Sequence, residues 1–436
     1  MDAAPVMIHF ADLLREARRR TVALFADLND EQMIGPRLEI VNPLLWEIGH
    51  VAWFQEYWVL RHLNGRAPIL PDGDALYDSA KVAHETRWDI PLLPRTKVLA
   101  YMQDVLDRVI DRYGAAEELD EGATYFLSLV LFHEDMHDEA FGYTRQTLGY
   151  PQPGFESGNN DSHERVACGD LGDALIFGGR FLLGSLPDQP FVFDNEMDAH
   201  EVELGPFSIS RTAVSNAEFA AFVAEGGYQQ REFWSHAGWE WRQVADAKHP
   251  VYWQRNGNKW LRRNFGQLVP LEDHLPVLHV NWFEAGAFCR WAKRRLPTEA
   301  EWEMAASAEP TSSGQGISPL KRRFPWGDGA PDPNRANLDW QGGGCIDVRA
   351  LPAGDSAFGC RQMIGNVWEW TASDFSPYPG FVAGPYREYS APWFGDHKVL
   401  RGGCWATRSR LIHNAYRNFY PPHRRDVWAG FRTCAP

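Results

Sequence analysis

The chain has 436 residues, of which 43 are Lys or Arg and 58 are Asp or Glu, so its formal net charge is −15. Hydrophobic residues make up 44% and charged residues 23%, which excludes a disordered or fibrous protein, and the acidic balance argues against nucleic acid or an anionic membrane as main partner. No apolar run approaches the ~20 residues of a membrane span. The six cysteines form no Cys-x-x-Cys pair, which favours a reduced, cytoplasmic protein.

The first 154 residues predict a bundle of four long helices. Apolar residues recur at helical spacing in four stretches: His9 to Asp27, Asn42 to about Leu63, Pro94 to Tyr113 and Glu118 to Leu148. Asn42 is the expected N-cap of the second helix, with Pro43 at its first position, and Gly149 is expected to end the fourth. Residues 64–93 are expected to form one extended connection.

Residues 155–436 are rich in Gly, Trp and Pro and contain short apolar runs. This composition predicts an α+β domain with much irregular backbone. Two helices are recognisable there, Ser215 to Glu225 and Trp282 to Arg294, and residues 308–318 are expected to form a surface loop. The predicted fold class is therefore a helical domain followed by an α+β domain.

Three histidines form the sharpest pattern in the predicted bundle. His133 and His137 lie four residues apart, on one face of the fourth predicted helix. His50 lies midway along the second predicted helix, and a bundle brings such positions together in its interior. Three imidazole nitrogens suit Zn, Fe, Cu or Ni and leave coordination positions open for substrate or dioxygen. The pattern predicts a metal site at His50, His133 and His137 and leaves the metal open.

The same helix supports a competing interpretation. Residues His133-Glu134-x-x-His137 match the signature of zinc metalloproteases, in which the glutamate is the general base. No third ligand follows in residues 138–150 (DEAFGYTRQTLGY), which weakens this interpretation. Glu139 is also expected to be able to hold a ligand imidazole in place. A zinc hydrolase with Glu134 as base stays an alternative.

The second half contains a combination of motifs that belongs to a known family. They are PVLHVNWFEAGAFCRWAKRRLPTEAEWEMAA (276–306), FPWGD (324–328), MIGNVWEWTASDF (363–375), VLRGGCWATR (399–408) and WAGFR (428–432). Together they resemble the formylglycine-generating-enzyme-like (sulfatase-modifying-factor) domain, a variant of the C-type-lectin fold. The first half resembles the DinB-like four-helix bundle, whose hallmark is a three-histidine metal site. In this order, residues 1–154 and 155–436 resemble the non-haem iron sulfoxide synthases of ergothioneine biosynthesis and their relatives, including selenoneine synthase.

The resemblance implies an enzyme that holds Fe(II) at His50, His133 and His137. Such enzymes use dioxygen to join sulfur or selenium to carbon 2 of the imidazole of hercynine, and the active site is expected between the two domains. The implied partners are small molecules, hercynine and a selenosugar or thiol donor, with no indication of oligomeric state. Loops like NVWEW in related domains often hold calcium, so a structural calcium ion stays open. A non-catalytic, metal-stabilised scaffold whose second domain binds a ligand is a further alternative.

The resemblance also assigns roles outside the histidines. Tyr386, in PYREYS (385–390), falls at the position of the family's proton-donating tyrosine, and Tyr389 at that of a second active-site tyrosine. Arg87 lies where the family places an arginine for a donor carboxylate. The segment that falls on the family's R-N-W-D motif, which contacts hercynine and the sulfur donor, consists of Arg417, Asn418, Phe419 and Tyr420.

Three positions depart from the γ-glutamylcysteine-using members. Those members carry Gln where this chain has Met136, Trp where it has Phe419, and Asp where it has Tyr420. Loss of the carboxylate removes an anchor for an amino group of the donor, and the neutral aromatic replacement suits a sugar-like face. The departures favour a selenoneine synthase that uses a selenosugar. An ergothioneine synthase that uses γ-glutamylcysteine or cysteine stays the alternative.

Overall fold

The computed structural model of the protein describes residues 9–114, 116, 118–155, 171–187, 189–313 and 316–436. The chain divides into two compact units, Met1–Phe155 and Glu156–Pro436. Cys168 lies outside the described residues, and the other five cysteines are free thiols. Among the described helices, none combines the length and apolar character that a membrane crossing requires.

The N-terminal unit is a four-helix bundle with two short additional helices. Its helices are α1 (Phe10–Ala23), α2 (Asp30–Ile34), α3 (Leu44–Gln55), α4 (Gly73–Tyr77), α5 (Arg95–Tyr113) and α6 (Glu121–Leu148). The four long helices were predicted, and α3 and α1 each pack against both α5 and α6. Every residue of α3 is buried, as expected for a helix at the centre of a core. A π-helical segment, Glu56–Leu63, continues α3.

Two details of the bundle differ from the prediction. Asn42 does not cap α3, because Pro43 is the cap residue and the Asn42 side chain accepts a hydrogen bond from Arg87 Nη1 at 2.6 Å. Residues 64–93 are not fully extended, since they contain α4 and a 3₁₀ turn at His84–Thr86. Tertiary contacts, which local sequence patterns do not report, account for both differences.

The described part of the C-terminal unit contains four α-helices: α7 (Asn216–Ala224), α8 (His236–Val244), α9 (Trp282–Trp291) and α10 (Glu299–Ser307). α7 and α9 were predicted, whereas α8 and α10 were not. The side chain of Thr298 accepts a hydrogen bond from Glu301 N, and the Glu301 carboxylate accepts one from Thr298 N. This reciprocal cap is a sequence signal that identifies the start of α10.

Small sheets and long connections make up the rest of this unit. The strands are β1 (Asp173–Ile176), β2 (Gly179–Leu183), β3 (His200–Leu204), β4 (Phe207–Ser210), β5 (Trp253–Asn256), β6 (Lys259–Asn264), β7 (Gln267–Pro270), β8 (Ala308–Pro310), β9 (Ile317–Lys321), β10 (Trp368–Asp374), β11 (Lys398–Arg401), β12 (Asn418–Tyr420) and β13 (Ala429–Gly430). The largest sheet has the order β12-β11-β10-β13, with only the β10–β13 pair parallel. The prediction of a surface loop at residues 308–318 is wrong for the described residues at its two ends, which belong to the antiparallel strands β8 and β9.

Candidate metal centre

Three histidines converge inside the N-terminal unit. His50 comes from α3, and His133 and His137 come from adjacent turns of α6. One ring nitrogen of each lies within 4.8 Å of the other two. His50 and His133 are each only 3% exposed, and His137 is partly buried. The structure therefore brings together the three residues that the sequence pattern selected.

Two of the rings are oriented by oxygen acceptors. The Tyr77 carbonyl lies 2.8 Å from His50 Nδ1, and a Glu47 carboxylate oxygen lies 2.7 Å from His137 Nδ1. A carbonyl can only accept a hydrogen bond and an ionised carboxylate does the same, so each Nδ1 carries a proton, and in a neutral ring the lone pair is then on Nε2. Glu47 was missed by the sequence analysis, although it lies three residues before His50 on the same helix face.

The environment keeps the rings of His50 and His133 neutral. Burial, followed by the nearby His137, lowers the pKa of His50 well below its usual range. Burial also lowers the pKa of His133, with His137 and His50 as further causes. Metal ligation requires neutral imidazole, and the buried donor set of three nitrogens matches the preference of divalent transition metals such as iron. The residues present thus fit a metal ion of this class.

The Glu134 carboxylate is engaged with α1. It accepts hydrogen bonds from Arg18 Nε and from Thr21 Oγ1, each at 2.8 Å, and the Arg18–Glu134 ion pair is buried. Thr21 Oγ1 also lies 2.8 Å from Asp138. Burial, then the charges of Glu134 and Asp135, raise the pKa of Asp138 well above its usual range. A glutamate committed to a buried arginine is poorly suited to act as general base, so this placement disfavours the zinc-hydrolase interpretation.

Arg87 lies close to the histidine cluster. Its guanidinium carbon is 3.8 Å from the centre of the Trp46 ring, and that ring stacks on His50 with centroids 5.0 Å apart. Arg87 also donates to Asn42 Oδ1 and to the Val82 carbonyl. Burial lowers its pKa to about 10, so Arg87 stays charged at neutral pH. Its role toward a donor carboxylate stays a prediction.

The two candidate tyrosines lie together in the C-terminal unit. The ring centroids of Tyr386 and Tyr389 are 5.9 Å apart; Tyr386 precedes a 3₁₀ turn and Tyr389 is its last residue. The Tyr389 hydroxyl lies 3.2 Å from that of Tyr416, and its ring stacks on Phe193 at 4.4 Å. Burial and the neighbouring Tyr416 raise the pKa of Tyr389 well above its usual range, which keeps this hydroxyl protonated.

Arg417 is the charged member of the 417–420 segment, and it is 1% exposed. Its Nε and Nη2 donate to the Glu299 carboxylate at 2.7 and 3.1 Å. The other guanidinium nitrogen donates to the Asn195 carbonyl, and Nη2 also reaches the Ser376 carbonyl. The guanidinium is thereby tied to buried protein oxygens on several sides.

The rest of the segment forms β12 and presents neutral groups. Phe419 stacks on Phe375, with centroids 4.0 Å apart and planes 11° apart, and Asn418 accepts a hydrogen bond from Phe419 N. Tyr420 is half-buried at the end of β12. Met136, the other residue that departs from the family pattern, is half-buried on α6 one residue before His137.

The segment Asn366–Trp370 is the one at which the sequence analysis left a calcium ion as a possibility. Its Asn366 side chain is hydrogen-bonded to other protein groups. The Asn366 side chain accepts from Ile346 N and Asn337 Nδ2 and donates to the Ile346 carbonyl and Gln362 Oε1. Across the described ranges, the histidine triad is the one group of three or more His, Cys, Asp or Glu side chains close enough to share an ion. The described residues therefore give no support for calcium.

Two family models match the chain. The Sulfatase-modifying factor enzyme 1-like domain matches residues 167–435, and the DinB superfamily matches residues 13–140. The predicted fold class is confirmed for both halves: a DinB-type helical bundle is followed by a sulfatase-modifying-factor domain with small mixed sheets and much irregular backbone.

Curated relatives match over different lengths. A protein named hercynine oxygenase from Mycolicibacterium smegmatis is 36% identical over 438 residues, covering 97% of each chain. Its namesake from Mycolicibacterium thermoresistibile is 38% identical over 439 residues, covering 99% of this chain and 95% of the relative. A formylglycine-generating enzyme from Streptomyces coelicolor is 33% identical over 272 residues, covering 57% of this chain and 82% of the enzyme. The first two relatives thus match across both units.

Proposed function

We propose that this chain, which belongs to the hercynine oxygenase family of ergothioneine-type sulfoxide synthases, is an oxidoreductase that acts on hercynine with dioxygen. It uses Fe(II) held by His50, His133 and His137 and joins selenium or sulfur to carbon 2 of the hercynine imidazole. The name of the full-length relatives supports the substrate and the oxygen chemistry. The observation that carries the metal role is the convergence of the three imidazoles, two of them buried and that of His137 partly buried.

At the proposed metal site, the ion and the protein residues make different contributions. Iron, when bound, supplies the redox chemistry that activates dioxygen. The protein supplies three imidazoles, and the Nδ1 atoms of His50 and His137 are held by the Tyr77 carbonyl and the Glu47 carboxylate. Burial around His50 and His133 excludes bulk water, which strengthens each electrostatic interaction in the site.

Tyr386 is proposed as the proton donor of the reaction and Tyr389 as its neighbour in the active site. A tyrosine hydroxyl donates a proton effectively when it is protonated at the working pH and held within hydrogen-bond reach. The raised pKa of Tyr389 and its contact with the Tyr416 hydroxyl support a protonated phenol next to Tyr386 at this turn.

A selenosugar is the favoured donor. Arg417 is engaged by Glu299, and the neighbouring residues Phe419 and Tyr420 are neutral and aromatic. Aromatic faces with few charges suit a sugar ring better than a zwitterionic amino group. A thiol donor, γ-glutamylcysteine or cysteine, stays the second candidate because the relatives' name specifies hercynine and leaves the donor open.

A competition assay tests the function. The iron-loaded protein is supplied in air with hercynine and equal concentrations of a selenosugar, γ-glutamylcysteine and cysteine, and products are identified by mass. We expect dioxygen uptake and a product in which selenium is attached to hercynine. If the main product is an adduct of γ-glutamylcysteine or cysteine, the thiol and not the selenosugar is the donor. No dioxygen uptake with any mixture would favour the scaffold interpretation, and bound zinc with amidase activity would favour the hydrolase.

A cytoplasmic location is part of the same proposal. The five cysteines of the described ranges are free thiols, as is usual in a reducing compartment.

A further inference from the structure

The end of α4 presents two consecutive main-chain carbonyls to α3. The Trp46 indole N–H donates to the Leu76 carbonyl at 2.7 Å, and His50 Nδ1–H donates to the Tyr77 carbonyl at 2.8 Å. The Trp46 and His50 rings are stacked, with planes 7° apart. One turn of the connection between α3 and α5 therefore fixes both a metal-ligand candidate and the ring that stacks on it.

This arrangement depends on the absence of a side chain at residue 49. The Tyr77 ring lies directly against the α3 backbone at Gly49, and a Cβ placed there would stand 2.2 Å from Tyr77 Cε1 and 2.4 Å from Cζ. Tyr77 is fully buried, so its ring cannot move aside without displacing other protein atoms or entering the interior. Two non-bonded carbon atoms are normally at least about 3.5 Å apart, so any side chain at residue 49 displaces Tyr77 by about 1 Å or more.

We propose that Gly49 is a positioning residue for the metal centre. It admits Tyr77, whose carbonyl then holds His50 as the Nδ1–H tautomer with Nε2 directed at the ion. This inference rests on the proposed role of the three histidines as metal ligands. It adds two groups outside the ligand set, the glycine of α3 and the Tyr77 main-chain carbonyl, which together orient one of the candidate ligands.

Gly49→Ala makes the inference testable because two effects have opposite signs. Alanine is the better helix former, so an effect confined to α3 itself would leave the bundle as stable or more stable. Displacement of Tyr77 instead loosens His50, and loss of a group that orients a metal ligand typically weakens metal binding by about 10- to 100-fold. We expect weaker binding of Co(II), used as a spectroscopic stand-in for Fe(II), and an altered Co(II) visible spectrum.

A double-mutant cycle shows whether the effect passes through Tyr77. In a Tyr77→Ala background the ring that alanine would strike is gone, so adding Gly49→Ala should weaken Co(II) binding no further. Gly122→Ala is the matched control, because its Cβ would meet only Asp120 Oδ1 at 3.4 Å and Leu63 Cδ1 at 3.8 Å, and it should bind Co(II) like the unmodified protein. Wild-type affinity and spectrum in Gly49→Ala, or equal weakening in both backgrounds, would overturn the inference.

A measurement on the unmodified protein removes any dependence on folding of the variants. Nitrogen-15 NMR of histidine-labelled, metal-free protein should show His50 as the Nδ1–H tautomer with a slowly exchanging proton. The Nε2–H tautomer would overturn the inference. His133→Ala separates it from the proposed function: undiminished Co(II) binding in that variant refutes the metal role itself, whereas lost binding there with intact binding in Gly49→Ala refutes only the positioning role.

Discussion

The two oriented rings at the metal centre depend on acceptors that come from different parts of the bundle. Glu47 reaches across from α3 to His137 on α6, and Tyr77 reaches back to His50 on α3. Helical spacing predicted His133 and His137 as candidate ligands, because residues four apart on a helix share a face, and the bundle prediction added His50. Spacing did not predict Glu47 or Tyr77 as their partners, because these contacts join residues 90 and 27 positions apart.

Glu47→Gln tests the carboxylate behind His137. The amide keeps the size of the side chain but removes the charge that holds the Nδ1 proton, so we expect metal affinity to fall by about 10-fold. Titration with Co(II) measures the change, with the melting temperature of the metal-free protein recorded alongside. Glu39→Gln, at an exposed position just before α3, is the matched control. Equal affinities in the two variants would remove Glu47 from the metal centre.

Tyr386→Phe tests the proposed proton donor. The phenyl ring preserves the packing against Tyr389 but has no proton to give. We expect Fe(II) and hercynine binding to persist while the carbon–selenium or carbon–sulfur product falls and oxidised donor accumulates. Product analysis by mass measures the ratio, and Tyr378→Phe, which changes a buried tyrosine bound to Glu299, serves as a comparison. An unchanged product ratio in Tyr386→Phe would exclude Tyr386 from the reaction.

The buried side chain of His279 is expected to make the free energy of unfolding depend on pH. Burial, then Arg262 and Arg263, lower its pKa from 6.5 to about 3. The unfolded chain therefore binds a proton that the folded chain excludes between these values, and the free energy of unfolding falls by about 1 kcal/mol per pH unit as the pH drops through this window. Urea unfolding from pH 7 to pH 4 measures the slope. His279→Asn, which tolerates the backbone φ of 59°, should show a shallower slope; an identical slope would assign the effect elsewhere.

At the scale of elements, the long helices of the bundle were predictable, and the short helices of the other unit were predictable only in part. α3 and α6 carry sustained apolar patterns over several turns, and their existence follows from the sequence. α7 and α9, of nine and ten residues, were predicted, whereas α8 and α10, of nine residues each, were missed, so helix length alone does not separate the two outcomes. The π-helical continuation of α3 also has no local signal, since its extra residue per turn is accommodated by packing against α5 and α6.

Thr298→Ala measures what the cap contributes to α10. Its hydroxyl accepts from Glu301 N at 3.2 Å, and loss of such a cap typically costs about 1 kcal/mol. We expect the free energy of unfolding of the C-terminal unit to fall by this amount in urea titration. Thr298→Ser keeps the oxygen and should retain most of the stability. A Ser variant as unstable as the Ala variant would show that the threonine methyl group, and not the cap, is responsible.

For the whole molecule, two units with separate cores predict separate responses to metal. All three ligand candidates lie in Met1–Phe155, and an ion that binds only the folded state stabilises it by about 2.7 kcal/mol at 100-fold excess over Kd. Calorimetry should show the transition of the N-terminal unit moving upward with Co(II). The transition of the C-terminal unit should stay in place, and neither should move in His133→Ala. An equal shift in His133→Ala would place the bound ion elsewhere.

The ligands His50, His133 and His137, and the groups that hold His50 and His137, all belong to one unit, whereas Phe419 and Tyr420 belong to the other. Under the proposed roles, substitutions in β12 that change which donor is accepted would leave the candidate metal ligands unchanged. A lineage with these roles could keep the half that holds the metal and change its sulfur or selenium donor by exchanging a few aromatic side chains in the other half.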